Sequence, residues 1–194
     1  DEAGYVESYA RELAHFARKT RLVDPALKLD IALLDGWRPA LLFEQCSLPW
    51  VAPSPNMPTA ETALLYAGTC LFEGVNVNEG RGTDTPFHLF GAPWLDPEAV
   101  LRRIRPEDCA GCRLEPVTYT PRSLPGRAAN PRYRDEVCQG LRVHVEAPGS
   151  VRAVTLAVAL LQAIRAAHGD ALTWTRHFDA LAGSPDQAGA AANE

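Results

Sequence analysis

The sequence predicts an α/β (α+β) domain, with a small mixed sheet packed with several helices. Three observations carry this. Apolar residues recur at helical spacing in several windows, they alternate strictly in at least one other, and Pro- and Gly-rich stretches punctuate the chain between them. The 194 residues, 46% apolar and 22% charged, are enough for one domain with a substantial core. No internal repeat interrupts that picture.

Tyr5, Tyr9, Leu13 and Phe16 share one helical face, so 1–18 reads as an amphipathic helix. Leu27 to Leu34 is apolar around Asp30 and suits a buried strand, which Gly36 ends and Trp37-Arg38-Pro39 turns. Trp50-Val51-Ala52 predicts a second short strand. The prolines at 49, 53, 55 and 58 keep Leu48 to Pro58 extended or turning. Thr59 predicts the N-cap of a helix from Ala60 to about Phe72, with Glu61 well placed in its first turn.

That helix leads into Gly68 to Thr83, where two acids, two Asn, one Arg and four of the chain's fourteen glycines fall within sixteen residues. Glycine frees the backbone and lets it approach a ligand closely, so the stretch reads as a binding loop. It follows the negative end of a helix and lacks a Gly-Lys-Ser/Thr ending, which argues against a phosphate cradle.

Asp96-Pro97-Glu98 predicts another helix start, with Val100, Leu101 and Ile104 as its apolar stripe. Leu114 to Tyr119 reads as a strand and Pro121 to Arg134 as a long loop. Leu141-Arg142-Val143-His144-Val145 alternates strictly, which places His144 beside Arg142 on an exposed face or at a sheet edge. Ser150 predicts the cap of a helix from Val151 to about His168, striped by Leu156, Leu160, Leu161 and Ile164 and stopped by Gly169. Trp174 to Leu181 suits a last short helix, and residues 184–194 a disordered tail.

The net charge of −5 argues against nucleic acid as a partner. Arg102, Arg103 and Arg105 are followed at once by Glu107 and Asp108, as on a solvated helix face. No apolar run approaches the ~18 to 20 residues of a membrane span. The first residues, Asp1-Glu2-Ala3-Gly4, hold no initiator Met and no signal sequence, as expected of a processed chain or a part of a longer one. Five cysteines cannot all pair internally. Cys109-Ala-Gly-Cys112 is half of a zinc spacing without a second half, so these read as loop cysteines, with one Cys109–Cys112 bridge as the alternative. Neither a metal nor a cofactor is expected.

Several motifs form a recognisable set: Pro-Ser-Pro-Asn-Met-Pro-Thr (53–59), Thr-Ala-Leu-Leu-Tyr (62–66), Gly-Thr-Cys-Leu (68–71), Glu-Gly (73–74) and Asn76. Glu-Gly-Arg-Gly-Thr (79–83), Pro-Phe (86–87) and Gly-Ala-Pro-Trp (91–94) continue it, with Asp35-Gly36-Trp37 and Phe178-Asp179 outside. In these, from about Leu13 to Gly183, the chain resembles the C-terminal half of the NamZ-type exo-β-N-acetylmuramidases. The resemblance implies release of a terminal β-linked N-acetylmuramic acid from peptidoglycan fragments. It implies a Rossmann-like N-terminal domain, and a cleft between that domain and this auxiliary one, here residues 1–183. The glutamate regarded as catalytic would lie in the N-terminal domain in a Glu-His-Gly context, which this sequence lacks. A bacterial cell envelope location, periplasmic or secreted, is implied as well. Val75 and Asn78 stand where the family usually has Thr and Ser, which removes two hydroxyls from the loop.

Glycoside hydrolysis usually employs two carboxyl groups flanking the scissile bond. Glu79 is the best catalytic candidate within the chain, with Glu73 and Asp84 nearby. Glu79 and Glu73 equally suit structural roles, pairing with Arg81 or accepting loop amides. Arg81 has the planar fork to bind the lactyl carboxylate of muramic acid, or to pair with Asp84 or Glu79. Asn56 and Asn76 can donate and accept together, as sugar hydroxyls require, or stabilise turns. Tyr66 offers an aromatic face to a cleft or to the core, and Thr83 completes the candidate substrate-binding set. Phe87 and Trp94 suit core anchors. Two functions follow: the auxiliary, substrate-cleft half of a muramidase-like glycosidase, inactive alone, or a non-catalytic muramyl-sugar-binding or interaction module.

Overall fold

The computed structural model describes Gly36, Arg38 and residues 40–183. The expected helix over 1–18, the strand from Leu27 to Leu34 and the tail over 184–194 lie outside the described residues. The chain divides into two compact units, Asp1–Ser47 and Leu48–Glu194. In the first, Gly36 sits in a turn with φ +72°, and Phe43–Cys46 forms a 3-10 turn. The Gln45 side chain closes that turn by accepting from the Leu42 amide at 2.8 Å.

The second unit begins with Leu48 to Pro58, where no strand forms at Trp50-Val51-Ala52. Pro49 and Pro53 flank it and have no amide to donate to a ladder, and Val51 stays 80% exposed. The Trp50 indole instead donates to the Met57 carbonyl at 3.2 Å, which closes a turn.

Helix α1, Ala60–Thr69, starts where Thr59 caps it, accepting from the Thr62 amide at 3.0 Å. It ends earlier than expected and tightens into a 3-10 segment, Cys70–Gly74. Strand β1, Leu89–Ala92, precedes helix α2, Pro97–Leu101. The Asp96 carboxylate caps α2 by accepting from the Glu98 and Ala99 amides at 3.0 and 3.1 Å. Strands β2, Cys112–Tyr119, and β3, Cys138–Val145, enclose the long loop between them. The sheet order is β1-β3-β2, and both pairings are antiparallel. His144 is therefore on the central strand rather than at an edge. It is half-buried, and its ring bonds Glu115 on β2.

Helix α3, Ala153–His168, buries Leu156, Leu160, Leu161 and Ile164 as its spacing requires. Ser150 does not cap it. Pro148–Ser150 forms its own 3-10 turn, Val151 is extended, and the helix begins after Arg152 with no side-chain cap. At the other end Gly169 stops the helix, and Arg165 donates to the Gly169 and Leu172 carbonyls at 2.8 and 3.2 Å. A short helix α4, Phe178–Ala182, closes the described chain.

The core lies between the helices and the face of the sheet that carries Phe90, Leu141 and Val143. Phe72 and Phe90 stack at its centre, with ring centroids 4.2 Å apart. Gly68 lets α1 run against the start of α3, because a Cβ there would stand 2.1 Å from the Ala153 carbonyl oxygen. That close crossing fixes where the glycine-rich segment leaves the helix.

Candidate functional site

The segment after α1 is pinned at several points. Val75 bridges to Trp174, and Asn78 bridges to Gly91 on β1. Between them the Asn76 side chain bonds the backbone through both of its amide atoms. Its Oδ1 accepts from the Thr173 amide at 2.7 Å, and its Nδ2 donates to the Ala171 carbonyl at 2.8 Å. Its own carbonyl accepts from the Tyr133 hydroxyl at 2.7 Å.

Asn78 is the centre of the turn that follows and is completely buried. Its Oδ1 accepts from the Gly80 amide at 2.8 Å, an Asx-turn bond, and from the Tyr119 hydroxyl at 3.0 Å. Its Nδ2 donates to the Arg81 and Arg132 carbonyls at 3.2 and 3.0 Å. Burial pushes the Tyr119 phenol well above its ordinary range, so it acts here as a neutral donor. Gly80 turns with φ +81°, and a Cβ on it would lie 2.8 Å from the Thr85 carbonyl oxygen. Only glycine fits both conditions.

This turn directs Arg81 back towards the 3-10 segment. One guanidinium nitrogen, Nη1, donates to Glu73 Oε2 at 2.8 Å and to Glu79 Oε1 at 2.9 Å. The Glu79 side chain is 8% exposed, against 25% for Glu73 and 30% for Arg81. The guanidinium also lies over the Phe87 ring, 5.0 Å from its centroid, and Tyr66 meets Phe87 edge-on at 4.7 Å. Burial alone would lower the Arg81 pKa, but the hydrogen bonds and charges of Glu73 and Glu79 outweigh it and raise it. Burial, and then the Glu73 charge, raises the Tyr66 phenol. Glu73 Oε1 is buried and has no hydrogen-bond partner.

The structure thus brings Tyr66, Glu73, Glu79 and Arg81 into one cluster around Phe87. Two acids share one base, so the cluster carries an excess of acceptors and suits hydroxyl or amide donors. Arg81 pairs with Glu79, as one expected alternative had it, and with Glu73; Asp84 takes no part. Thr83 belongs to the turn, donating to the Gly80 carbonyl at 2.7 Å. Asn56 sits apart from the cluster: its Nδ2 donates to the Arg127 carbonyl at 2.8 Å, and Arg127 in turn donates to the Pro55 carbonyl at 3.2 Å. Trp94 is a half-buried anchor, donating to Tyr133 at 3.2 Å.

Val75 and Asn78 are both fully buried, so residue choice at these positions governs packing rather than groups facing a ligand. The organising role of Asn78 was missed in the sequence. The only signal was Asn followed two residues later by Gly. All five cysteines are free, and the Cys109–Cys112 bridge is not formed. Burial pushes the Cys112 thiol up to about 11. Among the described residues no group of His, Cys, Asp and Glu is placed to hold a metal ion, and no helix is long and apolar enough to cross a membrane.

Comparison with known proteins follows the same residues. The chain is similar to the peptidoglycan β-N-acetylmuramidase NamZ of Bacillus subtilis (strain 168), 29% identical over 175 residues. The match takes in 89% of this chain and 40% of that protein, so the chain spans well under half of its relative's length. In fold it is similar to the crystal structure of a DUF1343 family protein from Bacteroides fragilis NCTC 9343, with a TM-score of 0.70 at 22% identity. That likeness covers 90% of this chain and 46% of the other. The model of the family described as exo-β-N-acetylmuramidase NamZ, C-terminal, matches residues 64–191, which include the whole Tyr66–Glu73–Glu79–Arg81 cluster. The chain belongs to that family of NamZ C-terminal domains.

Proposed function

We propose that this chain is the auxiliary half of an exo-β-N-acetylmuramidase-like glycosidase, and that its acidic cluster forms one wall of the sugar cleft. The observation that carries the reading is the Arg81 Nη1 bridge between Glu73 and Glu79, beside the unpartnered Glu73 Oε1. A buried acceptor without a partner is costly, and a sugar hydroxyl or acetamido N–H entering the cleft supplies the missing donor once the side chain shifts to meet it. Glu73 and Glu79 then act as fixed acceptors that orient a sugar. Tyr66 supplies the aromatic edge of the wall. Arg81 holds the two acids in place and, already committed to them, is a poor receptor for the lactyl carboxylate, since the cluster is net negative.

In this reading the acid that protonates the leaving oxygen comes from a Rossmann-like N-terminal domain, on the same or a separate chain. The substrate is a muramic-acid-containing sugar, as the name of the Bacillus relative suggests. The setting is then the bacterial cell envelope, periplasmic or secreted. The test is hydrolysis of a chromogenic β-N-acetylmuraminide by this chain, alone and with the N-terminal domain of a family member. No turnover alone, and turnover in the mixture that drops in Glu73→Gln, is expected. Clear turnover by this chain alone, lost in Glu79→Gln, overturns the division of labour. The non-catalytic alternative is separated by calorimetry with a muramyl ligand. Saturable binding by the chain with no turnover in any mixture makes it a binding module.

A further inference from the structure

On the opposite side of the 84–85 turn lies a second constellation, independent of the acidic cluster. Strand β1 pairs only with Gln139–Arg142 of β3, so the Val143–Val145 end of β3 runs on past β1. The space left there is an open cleft of about 310 Å³, lined by Thr59, Thr62, His88, Arg142 and the Asp84-Thr85 turn. A neighbouring cleft of about 530 Å³ continues on the far side of the same turn and shares Asp84, Thr85 and Arg142. Both volumes are those of small-molecule sites.

Most polar groups here are already committed. Thr59 and Thr62 hydroxyls bond each other at 2.9 Å, and the Thr62 hydroxyl bonds His88 Nε2 at 3.2 Å. His88 Nδ1 faces Glu61 at 3.5 Å, and His144 bonds Glu115. A neutral His88 that accepts at Nε2 from Thr62 keeps its Nδ1 proton facing Glu61. Two groups are left over. Arg142 is half-buried, its Nε is buried without a partner, and its side chain makes no hydrogen bond or ion pair among the described residues. Asp84 is exposed and likewise has no side-chain partner among the described residues.

Arg142 stands opposite Glu115 of β2 and feels its charge, but makes no hydrogen bond to it. Its free fork and the unpaired Asp84 carboxylate on one rim are complementary to a carboxylate that carries a hydrogen-bond donor on the next carbon. We propose that this cleft binds the carboxylate end of a small α-hydroxy or α-amino acid. Arg142 takes the carboxylate through its fork, and Asp84 accepts from the hydroxyl or ammonium. The acidic residues on the rim disfavour a doubly charged phosphate. The C-terminal end of a short peptide presents the same carboxylate with a neutral amide N–H as the donor on the next carbon, and the experiment separates it from a free acid.

The test is NMR titration of the full chain with lactate, alanine and alanyl-alanine, using acetate and alaninamide as partial ligands. Saturable shifts at Thr85, His88 and the Arg142 Nε–H are expected with lactate or alanine, and weaker ones with acetate or alaninamide. Stronger binding of alanyl-alanine than alanine assigns the site to a peptide end, and the reverse to a free acid. Arg142→Gln is expected to weaken binding roughly 10- to 100-fold. Arg142→Lys keeps charge without the fork and covers the case in which the Gln variant fails to fold. Asp84→Asn, at an exposed position, should weaken lactate and alanine but not acetate. Arg81→Gln should leave all of this unchanged. Absence of saturable shifts at millimolar ligand, or equal binding by folded Arg142 variants, overturns the proposal. Acetate binding as tightly as lactate overturns the part assigned to Asp84.

Discussion

The Tyr119 hydroxyl reaches across from β2 and donates to the side-chain oxygen of the fully buried Asn78 at 3.0 Å. Tyr119 is itself half-buried, and the same oxygen also takes the Gly80 amide. The turn that presents Arg81 is thus held from within the core rather than from solvent.

Asn78→Ala removes four hydrogen bonds at once and strands buried partners. The expected loss is about 4 kcal/mol of unfolding free energy or more, since each net bond contributes ~1 kcal/mol and unsatisfied groups add to it. Urea denaturation reads it as a lowered midpoint at unchanged slope. Tyr119→Phe, which removes one of the four, should lose about 1 kcal/mol.

Arg81 and Glu79 should be energetically coupled. The pair is only partly shielded, so a double-mutant cycle of Arg81→Ala and Glu79→Gln is expected to give about 1 kcal/mol of interaction, above a typical surface pair but below a fully buried one. A coupling indistinguishable from zero would show that the bridge does not hold the acids.

His88 gives the fold a pH dependence of definite sign. Its pKa is lowered first by burial, and the Arg142 and His144 charges push the same way, against Glu61 and a backbone bond at Val143. The folded pKa lies below the unfolded one, so the unfolded chain binds the proton more readily. The stability from neutral His88 is fully present above its ordinary pKa of about 6.5 and is lost as pH falls through the lower folded value. Unfolding free energy measured between pH 7 and mildly acidic pH should fall, and the slope should be shallower in His88→Gln. An unchanged slope would show that other groups set it.

Gly80 and Gly126 separate backbone strain from crowding. Both have positive φ, but a Cβ at Gly126 meets nothing within 4 Å. Gly126→Ala should therefore lose about 1 kcal/mol, the strain of the left-handed region alone, and Gly80→Ala more than that. Thermal melts of the two variants side by side give the comparison.

Local rules carried much of the fold. The Asp96 cap, the Thr59 cap and the four-residue stripe of α3 depend on neighbours within a turn or two, so the sequence displays them directly. Strand β1 does not show because Leu89 to Ala92 is buried on both faces and alternates with nothing. Trp50 to Ala52 misleads because its apolar residues suggest a ladder that the flanking prolines prevent. The cluster itself was half legible: Glu73, Glu79 and Arg81 stand close in sequence, but the bridging of both acids by one nitrogen depends on Asn78, Tyr119 and Arg132, far apart in the chain. Arg142 showed only as a neighbour of His144 on a strand face. Its lack of a partner is a property of three dimensions alone.

The backbone bonds around Asn76 have one more consequence. Asn76 is stitched to Ala171 and Thr173 across 95 and 97 positions, and the Gly74 carbonyl accepts from the Thr175 amide at 2.8 Å. The wall that carries Glu73 is therefore splinted by residues near the far end of the described chain. Contacts of such long sequence separation form late, because loop closure must precede them. A chain cut after His168 would lose α4 and the splint together, and would be expected to keep α1 to α3 and the sheet yet leave that wall unbuilt.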